Sequence, residues 1–263
     1  YSSKSIFPDV ELGSVNYFLY DKEYKGEVEF KEIINENENN ISKRPLFEKD
    51  LDIIFPINKL VEIANKVTRS ENFKPLSDLC TGRNAFGITG KIAEKISQKE
   101  KRKDLYELRC AHEKLLYIEE KYIQNRMDIA NSWKVFSSKA NGGAGLLTDD
   151  KPNSIIGITY VGAPKSVCTD ALIPIGAFQK EIEALNLCKY LKTKFARFMI
   201  GILKASQNLT QIVYQFVPIQ DFNLESDIDW SKSISDIDDQ LYKKYNLTQD
   251  EINYIESKIK EIE

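Results

Sequence analysis

Between Glu181 and Lys204 one pattern constrains the chain more than any other. Leu191, Phe195, Phe198 and Ile202 recur at helical spacing, while Lys189, Lys194, Arg197 and Lys204 fall on the other side. Apolar residues three and four apart line one face of a helix, and that face needs a core to pack against. The spacing predicts one amphipathic helix over residues 181–204. No acidic residue lies between Ala184 and Lys204, so the polar face reads either as solvated surface or as uncompensated charge of the kind phosphate contact needs.

Other segments alternate helical and strand patterns. "PINKLVEIANKV" opens with Pro56 and sets Ile57, Leu60, Val61, Ala64 and Val67 on one face, predicting a helix of about three turns. "FPDVELGSVNYFLYDKEYKGEVEFKEI" interleaves aromatic and β-branched residues with polar ones around Gly13 and Gly26, which predicts a β-hairpin or meander. "NENENNISKRP" reads as a polar connector. "KIAEKISQKEKRKD", with six basic and three acidic residues, reads as a solvated helix end or loop. "LYELRCAHEKLLYIEEKYI" admits either a helix or two strands joined near His112, and periodicity does not choose between them.

Further on, "WKVFSSKANGGAGLL" runs from a short strand into a glycine-rich loop, and "SVCTDALIPIGAF" is a β segment ending at a turn. "VYQFVPIQDF" reads as a strand with a proline exit. Two short amphipathic helices close the chain. Ile234, Ile237, Leu241 and Tyr245 line the first, and Ile252, Ile255, Ile259 and Ile262 line the second, with Thr248 and Glu251 as a capping box. The whole predicts an α+β fold in three parts: a β-hairpin or meander over 1–34, a mixed domain over 45–222 and a helical brace over 223–263.

Bulk properties narrow the function classes. With 42% hydrophobic and 29% charged residues, 12 Gly and 8 Pro, the 263-residue chain has the composition of a folded protein. Cys80, Cys110, Cys168 and Cys188 stand singly, and His112 is the only histidine, so no usual zinc spacing exists. A reduced, cytoplasmic protein without structural metal is the expectation. No run approaches the roughly 20 apolar residues of a membrane span, and residues 1–20 lack a secretory pattern. Because the first residue is Tyr1, the chain is expected to be part of a longer polypeptide.

The net charge of −3 is unevenly spread. Residues 227–263 hold ten acidic and five basic side chains, a net −5, which leaves +2 on residues 1–226. An acidic tail therefore masks a mildly basic body.

Three chemical readings are weak. A hydrolase triad needs a base, and His112 in a charged stretch reads as a solvent-facing turn residue. "NGGAGLL" offers Gly142, Gly143 and Gly145 to an anion, yet no Lys-Ser or Lys-Thr follows and the GxGxxG spacing fails. The carboxylates of "SDIDWSKSISDIDD" suggest a metal-dependent nuclease, but a capped, solvated helix start explains them more simply.

Taken in order, "WKVFSSKANGGAG", "SVCTDALIPIGAF", "YLKTKFARFMIGILKASQN", "VYQFVPIQDF" and "DIDWSKSISDIDDQLYKKYNLTQDEINYIESKI" resemble the C-terminal region of bacterial restriction-modification adenine-N6 DNA methyltransferases. These are type II enzymes that carry methylase and target-recognition parts in one polypeptide. "FPDVELGSVNYFLYDKEYKGE" and "RPLFEKDLDIIF" are similar to the family's exit from its catalytic domain, and "GRNAFG" to an early loop of its recognition domain. The resemblance implies a parent enzyme that uses S-adenosylmethionine. In such an enzyme a mixed α/β domain reads a short site while the target adenine is flipped into the catalytic pocket.

The family's catalytic motif, Asn or Asp followed by Pro-Pro and an aromatic residue, is missing. The prolines at 8, 45, 56, 75, 152, 164, 174 and 218 include no adjacent pair, and the glycine-rich cofactor motif is absent as well. The chain is therefore expected to hold no cofactor and to be inactive alone. Its expected partners are double-stranded DNA, an upstream methyltransferase catalytic domain and an endonuclease domain or subunit.

Within that resemblance Lys189, Lys194, Arg197 and Lys204 are candidates for positioning phosphates. Arg83 and Asn84 in "GRNAFG", Lys139 and Asn141 in "SSKANGG" and Lys165 in "GAPKS" are candidates for reading base edges. No catalytic or metal-binding residue is predicted. The alternative is a protein-interaction module that docks a separate methylase or endonuclease subunit. On either reading the tail is a structural brace.

Overall fold

Val135 and Phe136 are adjacent and fully buried, yet they enter different cores, and that divergence organises the molecule. The structure is a computed structural model that describes residues 17–33, 39–48, 53–55, 57–141, 147, 152–204 and 207–262. The expected turn at Gly13, Pro56, and the glycines Gly142, Gly143 and Gly145 lie outside the described residues. Seven α-helices and eight strands are present among them, an α+β fold. No helix is long and apolar enough to cross a membrane among the described residues.

Val135 and Phe136 belong to β5 (Trp133–Ser138), the centre of an antiparallel sheet flanked by β6 (Thr159–Gly162) and β8 (Leu172–Phe178). Successive strand residues point to opposite faces, so a strand apolar on both faces needs a core on each side. Val135, Ile173 and Ile175 pack into the larger core, and Phe136 and Leu172 into the smaller. Pro174 fits because β8 is an edge strand. Its carbonyl accepts both the N–H and the hydroxyl of Thr81 at 3.2 Å. Gly176 lies where the β5–β8 register shifts, at φ +81, a backbone that glycine adopts without a Cβ penalty.

The smaller core encloses residues 86–130. "LYELRCAHEKLLYI" resolves into the antiparallel strands β3 (Tyr106–Arg109) and β4 (Leu115–Ile118). His112 and Glu113 make their turn at φ 55 and 58, and His112 is exposed. β7 (Ser166–Cys168) joins β3 in parallel. The helix α2 (Gly90–Ile96) precedes them, its N-terminus capped by the Thr89 hydroxyl.

The larger core is built on five helices. α1 (Asn58–Thr68) buries Leu60, Val61, Ile63, Ala64 and Val67, close to the predicted face. The segment expected to be one helix is two, α4 (Glu181–Lys192) and α5 (Lys194–Leu203). Thr193 breaks it with ψ 149, ending α4 and capping α5 through its hydroxyl, which accepts the Ala196 N–H at 3.1 Å. The tail forms α6 (Ile234–Lys244) and α7 (Gln249–Lys258), and the Thr248–Glu251 capping box is present.

The tail is not a separate layer. Ile228, Trp230, Ile237, Leu241, Tyr242, Tyr245, Ile255 and Ile259 are buried in the same core as α1, α4 and α5, so no break in packing falls at residue 222. Trp230 meets Tyr190 edge-on at 6.1 Å and Phe222 at 5.6 Å, while Phe195 stacks on Tyr245 at 5.0 Å. Rings at such separations gain about 0.5–1.5 kcal/mol beyond the area they bury.

Two expectations about strands are corrected. β1 (Val28–Ile33) pairs with β2 (Asn39–Arg44), so part of the polar connector is a strand. Arg44 fastens it, donating to the Phe55 carbonyl at 2.6 Å and covering the Phe30 ring at 3.5 Å. "VYQFVPIQDF" is not a strand. It continues from a 3₁₀ turn, Gln211–Tyr214, into a buried irregular run. Val213, Tyr214, Phe216 and Val217 are all buried, which leaves no alternating solvent face.

Candidate functional site

The basic face expected on residues 181–204 does not exist as a surface. Arg197 is 1% exposed and Lys204 2%. The Arg197 guanidinium donates to the carbonyls of Lys192 at 3.0 Å, Thr193 at 3.2 Å, Lys260 at 2.6 Å and Ser154 at 3.5 Å. Lys204 Nζ donates to the Asn141 carbonyl at 3.0 Å. Half-buried Lys189 and Lys194 are also engaged, the first with the Trp230 carbonyl at 2.6 Å and the second with Glu256. All four cations tie the helix pair to neighbouring backbone or to the tail, so they are not presented to phosphate. Burial pulls the Arg197 guanidinium down to about 10 and the Lys204 ammonium down to about 8.

Asp238 is likewise more than a solvated carboxylate. At 4% exposure it accepts the backbone N–H groups of Lys194 at 2.9 Å and Phe195 at 2.8 Å, serving the first turn of α5. Burial pushes its carboxyl up to about 6, against the downward pull of those two N–H groups and of Arg197. Ser233 caps its own helix as expected, accepting the Asp236 N–H at 3.1 Å.

The loop candidates divide. Arg83 is exposed and lines a groove of about 590 Å³, and its guanidinium has no hydrogen bond or ion pair among the described residues. Asn84 is a turn residue at φ 56, its carbonyl accepting the Gly87 N–H at 3.0 Å and its Oδ1 buried without a donor. Lys139 is half-buried and its main chain bridges Ala171 at 2.9 Å and Leu209 at 2.6 Å. Asn141 spends its amide on the Ser154 hydroxyl at 3.1 Å. Lys165, exposed at φ 62, donates to the Lys103 carbonyl at 3.1 Å and lies 5.7 Å from the Tyr106 ring.

A small cleft of about 50 Å³ takes in Lys194 and Arg197 with Asp238 and Glu256, and the larger groove takes in Arg83. One wall is the 3₁₀ turn Leu76–Leu79 with Thr81, Gly82 and Arg83; the other runs from Thr210 through Gln215. Ile173 lies at its base with 2% exposure. The walls are joined where Gln211 Nε2 donates to the Ser77 carbonyl at 2.9 Å. Backbone bonds from Lys139 to Leu209 and from Asn141 to Gln207, at 3.0 Å, bring the 139–141 loop to the start of the second wall. Of the five predicted loop residues Arg83 alone lines the groove, Lys139 and Asn141 bond to residues just before its second wall, and Lys165 sits on the loop between β6 and β7.

Several surface residues escaped the sequence reading. Asp78, Gln211, Ile212 and Gln215 are exposed on the groove walls. Gln215 was hidden by the expectation of a strand at 213–222. Lys91, Lys95, Lys99, Lys101, Arg102 and Lys103 are exposed on α2 and the loop after it, directly following the "GRNAFG" loop. Lys101 pairs with Glu107 at 3.5 Å and Arg102 with Asp104 at 3.1 Å. The six basic residues between 91 and 104 were the signal that could have identified this patch.

Lys134 is another buried cation. At 0% exposure its ammonium donates to the carbonyls of Ala130, Ser132 and Ala163, each at 2.9 Å, and burial pulls it down to about 7. It pins the turn that leads to Lys165. No cluster of His, Cys, Asp and Glu suited to a metal ion occurs among the described residues.

No protein-family model matches the chain, and no curated protein matches it.

Proposed function

We propose that this chain is the DNA-recognition part of a restriction-modification adenine-N6 methyltransferase, holding a duplex for methyl transfer by a catalytic domain upstream. The observation that carries the reading is the groove between Thr81–Arg83 and Thr210–Gln215. It sets Arg83, whose guanidinium has no partner among the described residues, beside exposed Gln215 at one side of a sheet buried on both faces, with Gln211 bonded across the walls. Arginine pairs with guanine and glutamine with adenine in the major groove, so this is the side-chain set that base reading uses. The sequence resemblance supplies the reaction and the parent enzyme's cofactor, S-adenosylmethionine.

Phosphate contact falls to a different surface from the one the helical pattern suggested. Lys91, Lys95, Lys99 and Lys103 are exposed and form no ion pair among the described residues. Contacts of this type fix register on the duplex and make affinity fall steeply with salt. Within the acidic tail Asp238 and Glu251 are turned into the protein and Glu256 pairs with Lys194, while Asp236, Asp239 and Asp250 remain exposed.

Selection from a pool of randomised duplexes tests the reading. A short, defined motif should be enriched, and Arg83→Ala should relax preference at one or two of its positions. Recovery of unrelated sequences by the wild-type chain would contradict sequence-specific recognition and favour a module that docks a separate methylase or endonuclease subunit.

A further inference from the structure

We infer that the outer edge of β1 is a dimerisation surface, pairing antiparallel with β1 of a second copy of this chain about a two-fold axis at Phe30. The inference goes beyond the DNA-recognition reading and does not depend on it.

β1 and β2 form a sheet of only two strands. No backbone hydrogen bond reaches the outer edge of β1 from elsewhere among the described residues. Such an edge is a template for another strand, and a two-stranded sheet is stabilised when further strands join it. The inner face of the hairpin is already occupied. There the Glu32 carboxylate accepts the Asn58 N–H, the Ser42 hydroxyl donates to Asn58 Oδ1 at 2.6 Å, and Arg44 covers the Phe30 ring. These contacts fix the hairpin on the start of α1 and leave Glu29, Lys31, Ile41 and Lys43 exposed on the outer face.

Charge selects the partner and the register. Side chains two apart on a strand share a face, so two identical antiparallel strands that keep their inner faces together must be centred on a residue. Centred on Glu29, Lys31 or Glu32, the pairing opposes a charge to its own copy. Centred on Phe30, it sets Glu29 against the partner's Lys31 on both sides of the axis and brings the two half-buried Phe30 rings together. Within one chain Lys31 faces Ile41 and Glu29 faces Lys43, and neither Glu29 nor Lys31 forms an ion pair among the described residues. The dimer therefore completes a row running Lys43, Glu29 and the partner's Lys31. Opposite charges across strands stabilise a sheet and like charges weaken it. A lysine on an edge strand ordinarily discourages pairing, and here it meets a matching carboxylate. β2 carries cations alone, Lys43 and Arg44, so its edge offers no such match. Directly before β1, Tyr17, Phe18, Leu19, Tyr20 and Tyr24 are all exposed, the kind of surface that marks an interaction site.

Sedimentation equilibrium of the full chain tests this. The wild type should dimerise in the micromolar range, and Lys31→Glu, which turns both charge pairs into like-charge pairs, should raise the dissociation constant roughly tenfold. Glu29→Lys, Lys31→Glu and Lys43→Glu combined invert the whole row and should restore association to within about threefold of the wild type. Because all three side chains are exposed, the variants should melt with the wild type. A wild type that stays monomeric at ~100 µM, a Lys31→Glu chain as dimeric as the wild type, or a combined variant as weak as Lys31→Glu would overturn the inference.

Discussion

The Asp238 carboxylate, carried by α6, accepts the backbone N–H of Phe195 at 2.8 Å, so the acidic tail completes the start of a helix in the middle of the chain. Asp238→Ala removes both N–H contacts. It should cost about 2 kcal/mol in urea unfolding, since it strips a cap and leaves two buried N–H donors without their acceptor.

The same carboxyl should leave a mark in the pH dependence of stability. Its folded value, about 6, lies above its ordinary one, so its contribution is fully present below about pH 4 and is lost as pH rises through 6. Relative to Asp238→Asn, the wild type should lose about 3 kcal/mol between pH 4 and pH 7. A difference that stays flat across that window would show that the two N–H groups and Arg197 offset the cost of burial.

Arg197→Ala should lower stability by about 3–5 kcal/mol, because a buried group hydrogen-bonded to four carbonyls is removed. Arg197→Gln, which removes the charge and keeps an amide donor for the carbonyls, should bind DNA with an unchanged salt dependence. A flattened dependence would return Arg197 to the phosphate-contacting surface.

Lys134 should produce the opposite pH trend. Its folded value of about 7 lies below that of an ordinary lysine, so charge on it opposes folding, and stability rises as pH climbs from 7 toward 10. Against Lys134→Met, measured in parallel, the wild type should gain about 2–3 kcal/mol between pH 7 and pH 9.

Removing residues 227–263 should do more than lower a melting temperature. Trp230, Leu241 and Ile255 lie in the main core with α1, α4 and α5, so the truncated chain should lose cooperative unfolding and bind a hydrophobic dye. A sharp transition in the remaining chain would mean that the body folds alone.

Patterns tied to one local period were legible. The apolar face of α1, the Thr248–Glu251 box and the stripes of α6 and α7 each follow from residue spacing within a single helix. The break at Thr193 was not legible, because the apolar stripe continues through it. The deciding contacts, from Asp238 to the N–H groups of Lys194 and Phe195, span more than forty residues of sequence. For the same reason Lys189, Arg197 and Lys204 looked like surface: a helical wheel records which side a cation occupies, but not that tail or loop carbonyls will cover it. Of the candidate site, Arg83 was found from its loop, whereas Ile212 and its glutamines emerged only with the 3₁₀ turn that holds them.

Titration of the purified chain with short duplexes at low and at physiological salt decides whether it reads DNA. Affinity should fall steeply with salt, with a smaller slope when Lys91, Lys95 and Lys99 are replaced by alanine, because each lost phosphate contact removes about one unit of that slope. Binding that is absent at low salt, or indifferent to salt and to those three lysines, would contradict DNA recognition.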